Sequence, residues 1–138
     1  MWVRVSFLAL ALALAASPAA AQVFRWWLDA GVQQAMALAP TQVDALDREF
    51  NRTLPTRRAL RREFDQASAE FSDALSRGDL SDEAGLALIT RVEELRRRRN
   101  AARSRMLLQM YWLLTAEQRV QLPGLVPVDS VLRQPAPP

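Results

Sequence analysis

From Phe24 to Leu122 the apolar residues recur every three or four positions, and no stretch alternates long enough to make a strand. Phe24, Leu28 and Val32 form a first stripe, which predicts a helix over 24–36. Pro40 stands where a second helix begins, because a first-turn proline gives up no intrahelical hydrogen bond. Val43, Leu46, Phe50 and Leu54 carry that helix's inward face. Pro55 then predicts a kink or a break. The stripe resumes at Leu60, Phe64, Ala67, Phe71 and Leu75. "RGDLSDE", residues 77–83, reads as a turn, with Gly78 as the stop. Ser81 is an N-cap ahead of Asp82 and Glu83, which suit the positive end of a helix. A third helix follows over 82–113, with Leu88, Val92, Leu95, Ala102, Met106, Met110 and Leu113 on its stripe. A short fourth helix covers 116–122 and is stopped by Pro123-Gly124. The fold class is therefore all-α: four helices, two of them a long kinked hairpin.

The third helix would be ~48 Å long at about 1.5 Å per residue. A compact globule of roughly this chain's size is only about 35 Å across. The protomer is thus predicted to be elongated, with its core shared across a dimer.

The two ends of the chain read differently. "MWVRVSFLALALALAASPAAAQ" has one early arginine, an apolar run from Val5 to Ala16, a break at Ser17-Pro18 and a small-residue site at Ala19–Ala21. That is a secretory signal cleaved after Ala21. The run is about 12 residues, short of the ~20 that span a bilayer, so a retained anchor is the lesser reading. No cysteine is present, which rules out lipid attachment there and leaves the exported protein without disulfides. Residues 22–122 form the helical domain. Residues 123–138, "PGLVPVDSVLRQPAPP", form a proline-rich, irregular tail.

Charge narrows the function. The sequence pI is 10.8, yet the chain holds 18 basic against 15 acidic residues, interspersed, and is read as exported. Those facts argue against a nucleic-acid partner. Every basic residue is arginine, a planar cation that stacks on aromatics and grips carboxylates. There is no histidine and no cysteine. Zinc and nickel sites rely on those ligands, so no metal and no cofactor is expected, and only Met106 and Met110 offer a soft pair. Neither a nucleophile–base pair nor a phosphate-binding glycine loop appears, so no enzyme activity is expected.

One pattern occurs twice. "LAPTQ" and "LLTAEQ" both fall in a Leu-x-x-x-Gln-x-x-x-Leu frame: Leu38, Gln42, Leu46, then Leu114, Gln118, Leu122. Thr115 is placed to cap a helix, and Gln118 to reach back to the Thr115 N–H, which makes a capping box. The motif is a joint that ends one helix and starts the next. The first copy has Ala39 at the capping position, so a weaker corner is expected there.

These motifs, with "WW" before the first copy, the proline in helix two and "RVEELRRRRNAARSRMLLQM" in helix three, resemble the Spy/CpxP family of periplasmic proteins, known by its LTxxQ motif. The chain is similar as well to heavy-metal resistance proteins of the CnrX and ZraP type. The resemblance covers about residues 24–122. It implies a cradle-like antiparallel dimer that serves as an ATP-independent chaperone, or takes part in sensing envelope stress or metals.

The candidate binding residues are arginines. Arg57, Arg58, Arg61 and Arg62 share one arc beside the apolar stripe, with Glu63 and Glu70 on its other shoulder. They are either a solvated face paired within the helix, as Arg61–Asp65 allows, or a basic rim around an apolar floor. Arg96 to Arg99 cover every face of helix three, and Glu93–Arg97 and Glu94–Arg98 are expected i,i+4 pairs. Arg99 falls on the apolar stripe with Val92, Met106 and Leu113. It either pairs with Glu63 or Glu70 across the helices, or faces clients with Arg96 and Arg103. Trp26 and Trp112 lie off the main stripes, for a binding surface or a dimer contact. The function expected is a periplasmic chaperone that binds unfolded polypeptides as a homodimer. The alternative is a heavy-metal sensor or a regulator acting on a membrane sensor protein.

Overall fold

The computed structural model describes residues 23–126, and among them the chain is all-helical, with no strand. A short 3-10 segment, Val23–Leu28, leads into four α-helices: α1 Ala30–Ala35, α2 Pro40–Arg77, α3 Asp82–Trp112 and α4 Ala116–Leu125. The expected signal segment 1–21, and residues 127–138 of the expected tail, lie outside the described residues.

The hairpin of α2 and α3 dominates. Gly78 closes α2 in the left-handed region, at φ 73°, with its N–H on the Leu75 carbonyl. Ser81 starts α3 by accepting from the Ala84 N–H at 3.3 Å. The helices then run antiparallel: Glu70 meets Arg91 at 2.6 Å, and Glu63 meets Arg98 at 4.0 Å, seven residues on in each helix.

The apolar interior comes in two parts. The proximal core, at the open end of the hairpin, gathers Trp26, Trp27, Met36, Leu46, Phe50, Met106, Met110, Leu114 and Val126. The distal core is small: Ala67, Val92 and Leu95, with Phe64 and Phe71 packed on it. Between them lies the stretch where α2 and α3 carry most of their arginines.

Four expectations are corrected. The first helix is two pieces, because Arg25 leaves helical geometry (φ −118°, ψ 54°) and Asp29 caps a new start by accepting from the Val32 N–H at 2.9 Å. That break turns Trp26 and Trp27 inward and leaves Leu28 exposed. α2 continues through Pro55 without a break. On that turn side chains serve the backbone: Thr53 Oγ1 and Arg57 Nη2 donate to the Phe50 carbonyl at 3.0 and 3.4 Å. Leu75 and Leu113 face solvent, while Ala74 and Leu114 are buried in their place. Finally, α4 runs past Pro123 and Gly124 to Leu125, since burial of Val126 in the proximal core draws the last turn in; the Val126 N–H donates to the Leu122 carbonyl at 2.9 Å.

Candidate functional site

The two motif copies meet. Gln42 Nε2 donates to Gln118 Oε1 at 2.9 Å, and Gln118 Nε2 donates to Gln42 Oε1 at 3.1 Å. Each amide oxygen also accepts from the N–H at its own helix start: Ala39 N to Gln42 at 3.0 Å, and Thr115 N to Gln118 at 2.9 Å. Each amide nitrogen also donates to a carbonyl that ends a helix: Gln42 to Leu113 at 3.2 Å, and Gln118 to Met36 at 3.1 Å. Both side-chain amides thus use two donors and two acceptor sites, their full capacity. Met36 caps the C-terminus of α1 and Leu113 that of α3. Each glutamine therefore starts its own helix and closes the helix that leads into the other motif.

Thr115 completes the second box by accepting from the Gln118 N–H at 3.3 Å. Ala39 has no side-chain acceptor, so the first copy keeps only the glutamine half. The Leu38 and Leu122 anchors pack on the proximal core, and Leu114 is buried within it. Sequence reasoning found both corners but not their contact, because a capping box is defined over four residues and the two copies are 76 apart. The signal available was the repeated frame itself.

Along the middle of the hairpin, arginines lie on phenylalanine rings. Arg25 and Arg57 each sit 4.5 Å from the centre of Phe50. Arg99 sits 4.5 Å, and Arg96 5.7 Å, from the centre of Phe64. Arg57 also donates to Thr53 Oγ1 at 3.2 Å. Partial burial holds the Arg57 guanidinium below its ordinary pKa, reinforced by the charges of Arg103, Arg25 and Arg58. Burial likewise lowers Arg103, with Arg99 adding to it. Arg25, Arg57, Arg58, Arg99 and Arg103 thus share one electropositive neighbourhood. Arg25 was missed by sequence reasoning, since its ring partner lies in another element and no spacing rule connects them.

The other predicted residues fall around this neighbourhood. Arg61 pairs with Asp65 at 3.5 Å, while Arg58 and Arg62 are exposed. Arg99 does not take Glu63 or Glu70, because those carboxylates serve Arg98 and Arg91. It is half-buried against Phe64. The expected i,i+4 pairs are replaced by i,i+3 pairs: Arg96–Glu93 at 3.5 Å and Arg97–Glu94 at 2.7 Å. Trp26 is buried inside the protomer, whereas Trp112 is 58% exposed. Arg119 lies over Trp112 at 4.5 Å and Tyr111 at 5.0 Å, and donates to both of their carbonyls. Met106 and Met110 are core residues beside Met36. Among the described residues, no three or more Asp or Glu gather where a metal ion could be held.

A helical hairpin closed by a doubled capping motif, with arginines laid on aromatic rings along its middle, defines a small all-helical scaffold. The family model for the LTXXQ motif family protein matches residues 27–125, which take in both motif copies and the whole hairpin. The chain belongs to this non-enzymatic family of Spy/CpxP-type periplasmic proteins. Comparison with curated proteins and with solved structures gives no significant match. No helix among the described residues is long and apolar enough to cross a membrane.

Proposed function

We propose that the protein is an ATP-independent periplasmic chaperone that holds unfolded or partly folded polypeptides along the middle of its hairpin, as a cradle-like antiparallel dimer. The observation that carries this reading is the alternation of guanidinium and phenyl groups: Arg25, Arg57 and Phe50, then Arg96, Arg99 and Phe64. Such a surface meets an unfolded chain on both its terms. Guanidinium groups bind carboxylates and backbone carbonyls, and also stack on aromatic side chains. The arginine stems and the half-buried Phe64 ring cover apolar side chains, while the buried Phe50 ring seats Arg25 and Arg57 from below. The site residues we assign are Arg57, Arg58, Arg61, Arg62, Arg96, Arg99 and Arg103, with Arg25 added. Gln42, Thr115 and Gln118, with the Leu38 and Leu114 anchors, hold the open end of the hairpin and touch no client.

The test is aggregation of a chemically denatured client diluted into buffer with the purified protein and no nucleotide. Suppression near one client per dimer, weakened by Arg57→Ala/Arg99→Ala, supports the reading. Unimpeded aggregation, with tight binding of Zn²⁺, Ni²⁺ or Cu⁺ by calorimetry, would replace it with the metal-sensor alternative.

A further inference from the structure

The last two turns of α3 carry an exposed apolar patch. Met106 and Met110 belong to the proximal core, and at about 100° per residue Leu108, Tyr111 and Trp112 fall on the other side of the helix. Those three are 51%, 40% and 58% exposed. Their i, i+3, i+4 spacing makes them neighbours on the helix surface. The two rings are held in place. Tyr111 and Trp112 stand at 78° to each other with centres 5.4 Å apart, which forms a notch. Arg119 braces it from α4: its guanidinium lies on both rings and donates to both of their carbonyls, at 3.1 and 3.4 Å. The residues assigned to clients reach only to Arg103 on this helix, so the notch lies beyond them.

The chain carries a segment of matching chemistry close by. Val126 is buried in the same core as Met110 and Leu114, the residues that flank this corner of α3. From there residues 127–138, "PVDSVLRQPAPP", follow, with proline at three of the last four positions. An extended proline-rich chain advances about 3.1 Å per residue, so the nine residues from Val126 to Pro135 can span about 28 Å. That exceeds the roughly 10 Å thickness of the helix to be rounded. Proline holds the backbone extended, so little freedom is lost on docking, and aromatic-lined grooves are the surfaces that such segments fit. The tether also places the tail at an effective concentration on the order of a millimolar, which a separate partner would have to exceed.

We propose that residues 134–138, "QPAPP", fold back across Tyr111 and Trp112, so that the protein carries its own proline-rich ligand on an aromatic docking site. The proline rings lie in the notch. The Trp112 indole N–H is a donor suited to one of the tail's carbonyls, which have no partner within an extended proline-rich chain. The docking is independent of the client reading, since it uses none of the residues assigned to clients.

The experiment is contact quenching in the purified protein. The chain has no cysteine, so Ala136→Cys takes a single bimane label, whose emission an indole quenches only at contact. Trp26 and Trp27 are buried, which leaves Trp112 as the accessible quencher among the described residues. Trp112→Phe should raise the emission about twofold or more, as a tail seated at least half of the time requires. Pro135→Ser/Pro137→Ser/Pro138→Ser should raise it by a similar factor. Circular dichroism checks that each variant keeps its helicity, and the quenching should persist on dilution. Emission unmoved by Trp112→Phe overturns the proposal. So does quenching that survives the serine replacements, or quenching lost on dilution, which would give the notch to a second copy.

Discussion

Gln42 and Gln118 donate to each other's side-chain oxygens, at 2.9 and 3.1 Å, across 76 residues of chain. Gln118 is the one buried polar residue of the described chain, at 6% exposure. A buried amide is costly unless all its hydrogen bonds are made, and here they are. The repeated motif therefore says one thing from two sides: each copy is the partner the other requires.

Removing both glutamines should cost less than the sum of the two single losses, because they share two hydrogen bonds. Gln118→Ala takes one donor and one acceptor from the Gln42 amide and leaves the Met36 carbonyl without its side-chain donor, and should lower stability by about 2–3 kcal/mol. Gln42→Ala should cost less, because it is nearer solvent. In a double-mutant cycle by urea denaturation, the coupling should be about 1 kcal/mol or more. Additive losses would mean that the two corners act separately.

The capping positions are Ala39 and Thr115, and only the second has a hydroxyl. Thr115→Ala should lose about 1 kcal/mol, because the Gln118 N–H loses its acceptor. Ala39→Thr should gain up to a similar amount, about 0.5–1 kcal/mol. Ala39 already has the extended backbone of a cap, φ −68° and ψ 146°. Denaturation midpoints of the two variants decide both.

Ala37 carries a left-handed backbone, φ 48°, where α1 ends. Its N–H bonds the Gln34 carbonyl, and the Leu38 N–H bonds that of Gln33 at 2.9 Å, the paired closure that usually employs glycine. Ala37→Gly should therefore stabilise the fold by roughly 0.5–1 kcal/mol, read as a raised melting temperature. Gly78→Ala, at φ 73°, should do the reverse.

Arg99 against Phe64 separates packing from client contact. Arg99→Leu removes the cation and keeps apolar bulk on the ring, so stability should change by less than about 1 kcal/mol. Protection of a denatured client should fall, and raised salt should mimic the change in the unaltered protein. Unchanged protection would place client binding away from this ring.

Acid should loosen the Arg97–Glu94 pair. The hydrogen bond from Arg97 holds the Glu94 carboxyl below its ordinary pKa. Its folded-state value is depressed, so its stabilising effect is present above the unfolded value and is lost as pH falls through the folded one. Stability should be flat from about pH 6 to 8, since there is no histidine to titrate, and decline below about pH 4.5. A transition between pH 6 and 8 would point to a group outside this pair.

Much of this protein is set by local pattern. The helical class, the turn at Gly78 and Ser81, the start of α2 at Pro40 and the box at Thr115 follow from periodicity and from groups within four residues of one another. Tertiary packing decided the rest. Asp29 divides the first helix because burying both Trp26 and Trp27 repays the break. Pro55 stays inside α2 because the helix is supported along its length by α3. Arg99 lies on Phe64 because Arg91 and Arg98 reach Glu70 and Glu63 first in the register. The Gln42–Gln118 pair belongs to both levels. Each glutamine is legible at its own helix start, but the bond between them exists only once the hairpin brings two distant corners within 3 Å.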